Sequence, residues 1–187
     1  MPKAKEFLLD IKEEELDETL NNTEVSFAML NEIGNKIISR YTSSLEDVMR
    51  RIYENVVSKN GDYDPQLLDQ YCLELTNVLY FMQQNLEDIG LKEDISKALA
   101  QEQYNAAYLD NQVKDATKTN KTTVAELTAI AQEQSKKEQV ITFIYNRSYK
   151  LFKAKIDSGY EMVNSLRKII TKNIQELNFT RFNTGKE

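Results

Sequence analysis

Histidine is absent from all 187 residues, and so is tryptophan. Without an imidazole, Ser-His-Asp and Cys-His catalysis cannot be assembled, nor can most zinc sites. A di-iron centre of the helical-bundle kind also fails, because it draws on Glu-x-x-His pairs. There is a single cysteine, Cys72. It can form no internal disulfide, which fits a reducing compartment. Its place between Tyr71 and Leu73 in a helical pattern makes it a packing residue. Glycine and proline are scarce, at five and two. An all-β or doubly wound fold needs many more turn formers. The glycines (Gly34, Gly61, Gly90, Gly159 and Gly185) are scattered, and neither GxGxxG nor GxxxxGK[ST] occurs, so no phosphate loop is present. Long apolar runs are missing too. The longest are Val78 to Met82 and Val140 to Tyr145, the latter broken by Thr142. A bilayer span needs about 20 apolar residues. Near the start, Phe7-Leu8-Leu9 gives way to Asp10, too short for a signal-peptide core. Acid clusters such as Glu13-Glu14-Glu15 lack the alternation and internal glycine of a calcium loop. These absences predict a cytoplasmic protein with no membrane partner, no metal, no cofactor and no small-molecule substrate. They predict that it is not an enzyme.

What remains is helical periodicity. Hydrophobic residues make up 41% and charged residues 29% of the chain, a lean core that suits long amphipathic helices. From residue 24 to 41 an apolar stripe runs through Val25, Phe27, Leu30, Ile33, Ile37, Ile38 and Tyr41. Thr42-Ser43-Ser44 is a candidate interruption, since Ser43 or Ser44 can cap a new helix. Leu45, Val48, Ile52, Tyr53 and Val56 continue the stripe until Asn60-Gly61-Asp62. Asp64-Pro65 is a start signal: Asp caps, and Pro at the first helical position gives up no needed hydrogen bond. Leu68, Tyr71, Cys72, Leu75, Val78, Leu79, Met82 and Leu86 carry the next stripe. It continues through Ile95, Leu99, Tyr104, Ala107 and Tyr108, with Gly90 a place to bend or break. Residues 110–121 lose periodicity and read as a polar loop. Thr123-Val-Ala-Glu126 matches a capping box. The last stripe runs from Val124, Leu127 and Ile130 through Ile141, Ile144, Tyr145, Phe152, Ile156, Val163, Leu166 and Ile170 to Ile174 and Leu177. Unbroken, residues 123–177 would extend roughly 80 Å at about 1.5 Å per residue. Gly159 is its weak point, a kink or a turn, because glycine costs about 1 kcal/mol in a helix interior.

The expected architecture is therefore all-α. A long antiparallel helical hairpin, with arms at about 65–109 and 123–177, takes an additional N-terminal helix against it. One domain covers 24–180, after an acidic segment at 1–23 and before a tail at 181–187. Such a coiled-coil-like chain has more apolar side surface than it can bury alone, which predicts a homo-oligomer.

Charge is distributed unevenly. Residues 131–187 hold eleven Lys or Arg against six acids, and residues 1–130 hold thirteen against twenty-four. The whole chain is at −6. At 100° per residue, Arg147, Lys150 and Lys153 share a face with Tyr149 close by, and Lys168 and Lys172 share another. Three readings compete. The face is a solubilising one, or one paired with a neighbouring subunit's acids. Alternatively it is a phosphate-binding track, where Lys and Arg release counterions and exposed tyrosines stack on bases. The third is an anionic membrane surface, which the lack of Trp and the presence of Asp157 and Glu161 weaken. At the other end, Phe7, Leu8, Leu9 and Ile11 sit among seven acids in residues 1–23. They are either a solvated end or a partner-binding peptide that folds on its target.

The order of pieces resembles a family of phage recombination mediators, which load a recombinase onto single-stranded DNA. The resemblance covers roughly residues 65–187. It is carried by "QEQYNAAYLDN" at 101–111, the loop 112–121, the long segment "TVAELTAIAQEQSKKEQVITFIYNRSYKLFKAKI" at 123–156 and "RFNTGKE" at 181–187. It implies a ring-like, non-catalytic oligomer that binds single-stranded DNA and contacts a recombinase, in the host cytoplasm if phage-encoded. The basic pair that contacts DNA in the family falls near Gln101 and Gln103 here, neither of them charged. The expected DNA contacts are therefore Arg147, Tyr149, Lys150, Lys153, Lys168 and Lys172. Two other functions remain: a structural or assembly protein of scaffold or virion type, whose basic end docks electrostatically, and a regulatory module working through the acidic segment.

Overall fold

A computed structural model describes residues 27–59, 63–116 and 122–184. The acidic segment with Phe7, Leu8, Leu9 and Ile11, and the residues 185–187 of the tail, lie outside the described residues. Among the described residues the fold is all-helical, with four α-helices: α1 (Phe27–Ile52), α2 (Pro65–Ala116), α3 (Val124–Gln134) and α4 (Lys136–Thr184). A short π-helical turn (Tyr53–Val57) extends α1, where the Ser58 amide donates to the Tyr53 carbonyl at 2.9 Å, one residue beyond the α spacing. The long helices α2 and α4 form a helical hairpin.

The starts follow from capping. The Asp64 carboxylate accepts from the Gln66 amide at 2.9 Å, and Pro65 opens α2. Thr123 and Glu126 form the capping box: Thr123 Oγ1 accepts from the Glu126 amide at 3.3 Å, and the Thr123 amide donates to Glu126 Oε2 at 2.7 Å.

Four sequence expectations about helix continuity change. Thr42-Ser43-Ser44 does not interrupt α1: Thr42 is fully buried and donates from Oγ1 to Glu46 Oε1 at 3.0 Å. Gly90 lies inside α2, and that helix runs to Ala116, into the segment expected to be a loop. The last arm is not a single helix. It breaks at Ser135, where φ is −99° and ψ 5°. The buried Ser135 hydroxyl donates to the Gln132 carbonyl at 3.2 Å and accepts from Gln139 Nε2 at 2.8 Å, so local side-chain bonding holds the irregular residue. Gly159, the expected weak point, is an ordinary helical residue within α4.

The chain divides into two compact units, and α1, α2 and α4 contribute a segment to each. Unit 2 comprises 39–86 and 152–187. Its core is Leu45, Val48 and Ile52 from α1, Leu68, Leu75, Leu79 and Met82 from α2, and Phe152, Ile156, Val163 and Leu166 from α4. A Cβ on Gly159 would fall 2.5 Å from Leu79 Cδ2, so α2 and α4 approach closely there and a larger residue would force Leu79 to shift. Asn55 Nδ2 donates to the Tyr71 hydroxyl at 2.8 Å, Arg51 pairs with Glu74, and Lys155 pairs with Glu46. These contacts set α1 antiparallel to α2 and parallel to α4. Tyr53, expected in the stripe, is 62% exposed.

Unit 1 comprises residues up to Ile38 and 87–151. Ile33, Ile37 and Ile38 of α1, Ile89 and Ala107 of α2, Leu127 and Ala131 of α3, and Ile144 and Tyr145 of α4 are buried. Polar residues share this interior: Glu93, Ser96, Ser135 and Ser148. Val124 and Ile130, expected to face inward, are exposed.

Candidate nucleic-acid interface

The six basic and tyrosine positions singled out in the sequence all lie on α4, and the structure treats them differently. In unit 1, Arg147 is half-buried and its Nε donates to Asn31 Oδ1 at 3.0 Å. It ties α4 to α1. Ser148 beside it is buried, and its Oγ stands 3.3 Å from the position a Cβ on Gly34 would take. Tyr149 is also half-buried. Its ring lies against Gly90, whose added Cβ would meet Tyr149 Cε2 at 3.3 Å. Neither residue presents an open face.

Lys150 is exposed and helps to hold an internal carboxylate. Burial works to raise the pKa of Glu93. The Lys97 ammonium, 2.6 Å away, the Asn146 amide, also at 2.6 Å, and the charge of Lys150 outweigh it, and the net shift is downward. Glu93 is thus an ionised carboxylate that joins α2 to α4 inside unit 1. Nearby is an open groove of about 390 Å³, lined by Lys97, Ala100, Gln101, Tyr104, Gln132, Gln139 and Thr142. Its only cation is already paired with Glu93 and Asp94. Gln101 lines this groove, and Gln103 is exposed on α2.

In unit 2, Lys153 and Lys168 are exposed, and Lys172 pairs with Glu176 one turn on, at 3.6 Å with both side chains largely in water. Such a pair contributes at most about 1 kcal/mol and opens readily. Two residues not singled out in the sequence complete the face: Tyr160, 43% exposed, and Arg167. Lys153, Tyr160 and Arg167 are seven apart. Seven residues fall about 20° short of two full turns, so the three stand in a row at roughly 10 Å intervals. Lys168 adjoins it. The side chains of Lys153, Arg167 and Lys168 make no ion pair among the described residues. Asp157 stands near the row and subtracts from its field. The spacing of seven was legible in the sequence. Charge alone groups cation with cation and gives no reason to place Tyr160 on their face.

Among the described residues, no cluster of three or more acids or cysteines is placed to hold a metal, and no helix is long and apolar enough to cross a membrane. No protein-family model, curated protein or solved structure matches the chain.

Proposed function

We propose that the chain is a non-enzymatic protein that binds single-stranded nucleic acid along α4. The observation that carries this reading is the exposed row Lys153, Tyr160 and Arg167, with Lys168 beside it. Cations at that spacing neutralise successive phosphates, and the tyrosine between them offers a stacking surface that any base can use. The resemblance in sequence layout supplies the biological role, a mediator that helps a recombinase onto single-stranded DNA. Coiled-coil-like association into a homo-oligomer belongs to the same reading. It is supported by apolar side chains of α2 that the single chain leaves exposed, such as Leu91, Leu109 and Val113. The contacts expected at Arg147 and Tyr149 pass to Arg167 and Tyr160, because the former pair is engaged within unit 1.

Fluorescence anisotropy of a labelled oligo-dT tests the proposal. Binding at low salt should weaken steeply as salt rises, with a log–log slope near −0.7 per phosphate contacted. The combined Lys153→Glu and Arg167→Glu substitutions should reduce affinity at least tenfold with the helical CD signal unchanged. Absence of binding at low salt by the folded chain rejects it.

A second reading, a structural or assembly protein, is supported by a different face of unit 2. Leu73, Tyr80 and Phe81 of α2 are 75%, 60% and 55% exposed, and the last two rings meet edge-on at 5.5 Å. On that reading the chain co-assembles with another helical protein and ignores oligonucleotides.

A further inference from the structure

The apolar row of α4 outruns the helices that cover it. Within unit 2, Phe152, Ile156, Val163 and Leu166 are buried, Ile170 is half-buried, and Ile174 and Leu177 are 53% and 62% exposed. With the buried Gly159 between Ile156 and Val163, the step along this row stays at three or four residues, so one face simply continues. The cause is register. Leu79 meets Gly159, and α2 runs antiparallel to α4. Counting back along α2 from that contact, Pro65, its first residue, stands opposite about residue 173. α1 and its π-turn end at Val57, beside Tyr71. Among the described residues, nothing in unit 2 covers Ile174 and Leu177. Cations flank the uncovered stretch: Arg167, Lys168 and Lys172 lie at its near end, with Glu176 the lone acid from Leu166 to Phe179.

We infer that this uncovered end of α4 docks the chain's own acidic N-terminal segment, residues 1–23. The segment has the complementary chemistry. It carries seven acids against three lysines, with Phe7, Leu8, Leu9, Ile11, Leu16 and Leu20 distributed among them. Its apolar side chains remove Ile174 and Leu177 from water, and its carboxylates meet the flanking cations. Length permits it. The 26 residues before α1 extend to about 85 Å, more than the roughly 75 Å length of the 49-residue α4. Docking within one chain makes the resulting protection independent of protein concentration. The inference does not depend on nucleic-acid binding. If both hold, the segment lies over Arg167 and Lys168 and competes with phosphate.

Hydrogen exchange on the full-length chain tests the inference directly. Amides of residues 170–179 should be protected beyond the level of a bare helix end. The triple substitution Phe7→Ser, Leu8→Ser and Ile11→Ser should speed their exchange at least tenfold and leave amides around Leu79 and Phe152 unchanged. Conversely, Ile174→Ser with Leu177→Ser should release any protection at residues 5–20. Raised salt should act in the same direction, since exposed ion pairs are screened. Equal exchange at 170–179 in the wild type and the triple variant overturns the inference. So does protection that grows with protein concentration, which assigns the surface to a second copy.

Discussion

Replacing Gly159 with alanine separates two meanings of a glycine in a long helix. At a hinge or an exposed turn, alanine stabilises by about 1 kcal/mol through helix propensity alone. Here the new methyl carbon would stand 2.5 Å from Leu79 Cδ2 and 3.3 Å from both Cδ1 and Cγ. With both methyls and the branch point this close, rotating the leucine brings another atom into the same space. Leu79 is fully buried, so it has no solvent to move into. Overpacking of this kind costs about 1–3 kcal/mol. Set against the propensity gain of about 1 kcal/mol, Gly159→Ala should be net destabilising by up to about 2 kcal/mol, or as much as roughly 8 °C in Tm for a domain of this size. Leu79→Ala alone opens a cavity and should cost about 2–5 kcal/mol. The double variant should cost clearly less than the sum, because the alanine methyl then fills part of the space the leucine left. A coupling of at least about 1 kcal/mol is expected. Urea denaturation followed by far-UV CD, on all four proteins, measures it. A rise in Tm for Gly159→Ala, or simple additivity in the double variant, would refute the close contact between α2 and α4.

Acid should weaken the fold through Glu93. Its folded pKa lies below the ordinary carboxylate value of about 4.3. Its contribution is therefore complete above that value and is lost as pH falls through the lower folded pKa. Glu93→Gln should flatten the stability profile below about pH 4.5 and cost about 1–2 kcal/mol at pH 7, read from urea midpoints across pH. Thr123→Ala removes the capping box and should destabilise by about 1 kcal/mol, with the loss concentrated in the exchange rates of the first turn of α3. Lys155→Met should change stability by less than about 1 kcal/mol by the same denaturation assay, since the pair with Glu46 is largely solvated.

Much of the fold follows from residues readable in order. Asp64-Pro65 and Thr123-x-x-Glu126 mark helix starts because the capping chemistry is local, and both form as expected. Two other positions are misleading in sequence because each depends on a distant partner, Lys155 for Thr42 and Leu79 for Gly159. Thr42-Ser43-Ser44 reads as an interruption until Glu46 and Lys155 satisfy the Thr42 hydroxyl. Gly159 reads as a weak point until Leu79 is placed against it. Ser135 reads as an ordinary polar residue. Its irregular backbone comes with a Gln132 carbonyl and a Gln139 amide that converge on one buried hydroxyl.

The basic face divides for the same reason. Sequence periodicity spreads Arg147, Lys150 and Lys153 over about 120° of α4 and does not rank them. Which of them stays available depends on what α1 brings alongside. Asn31 reaches Arg147 at 3.0 Å and uses its guanidinium as an internal tie. Glu46 likewise takes Lys155, a cation two residues from Lys153. The cations left over are those with no acid within ion-pair distance among the described residues. That selects Lys153, Arg167 and Lys168, and the exposed Tyr160 falls in the same row. A charge count along the chain thus locates the helix, but the candidate ligands on it are chosen by the helices that pack against its other side.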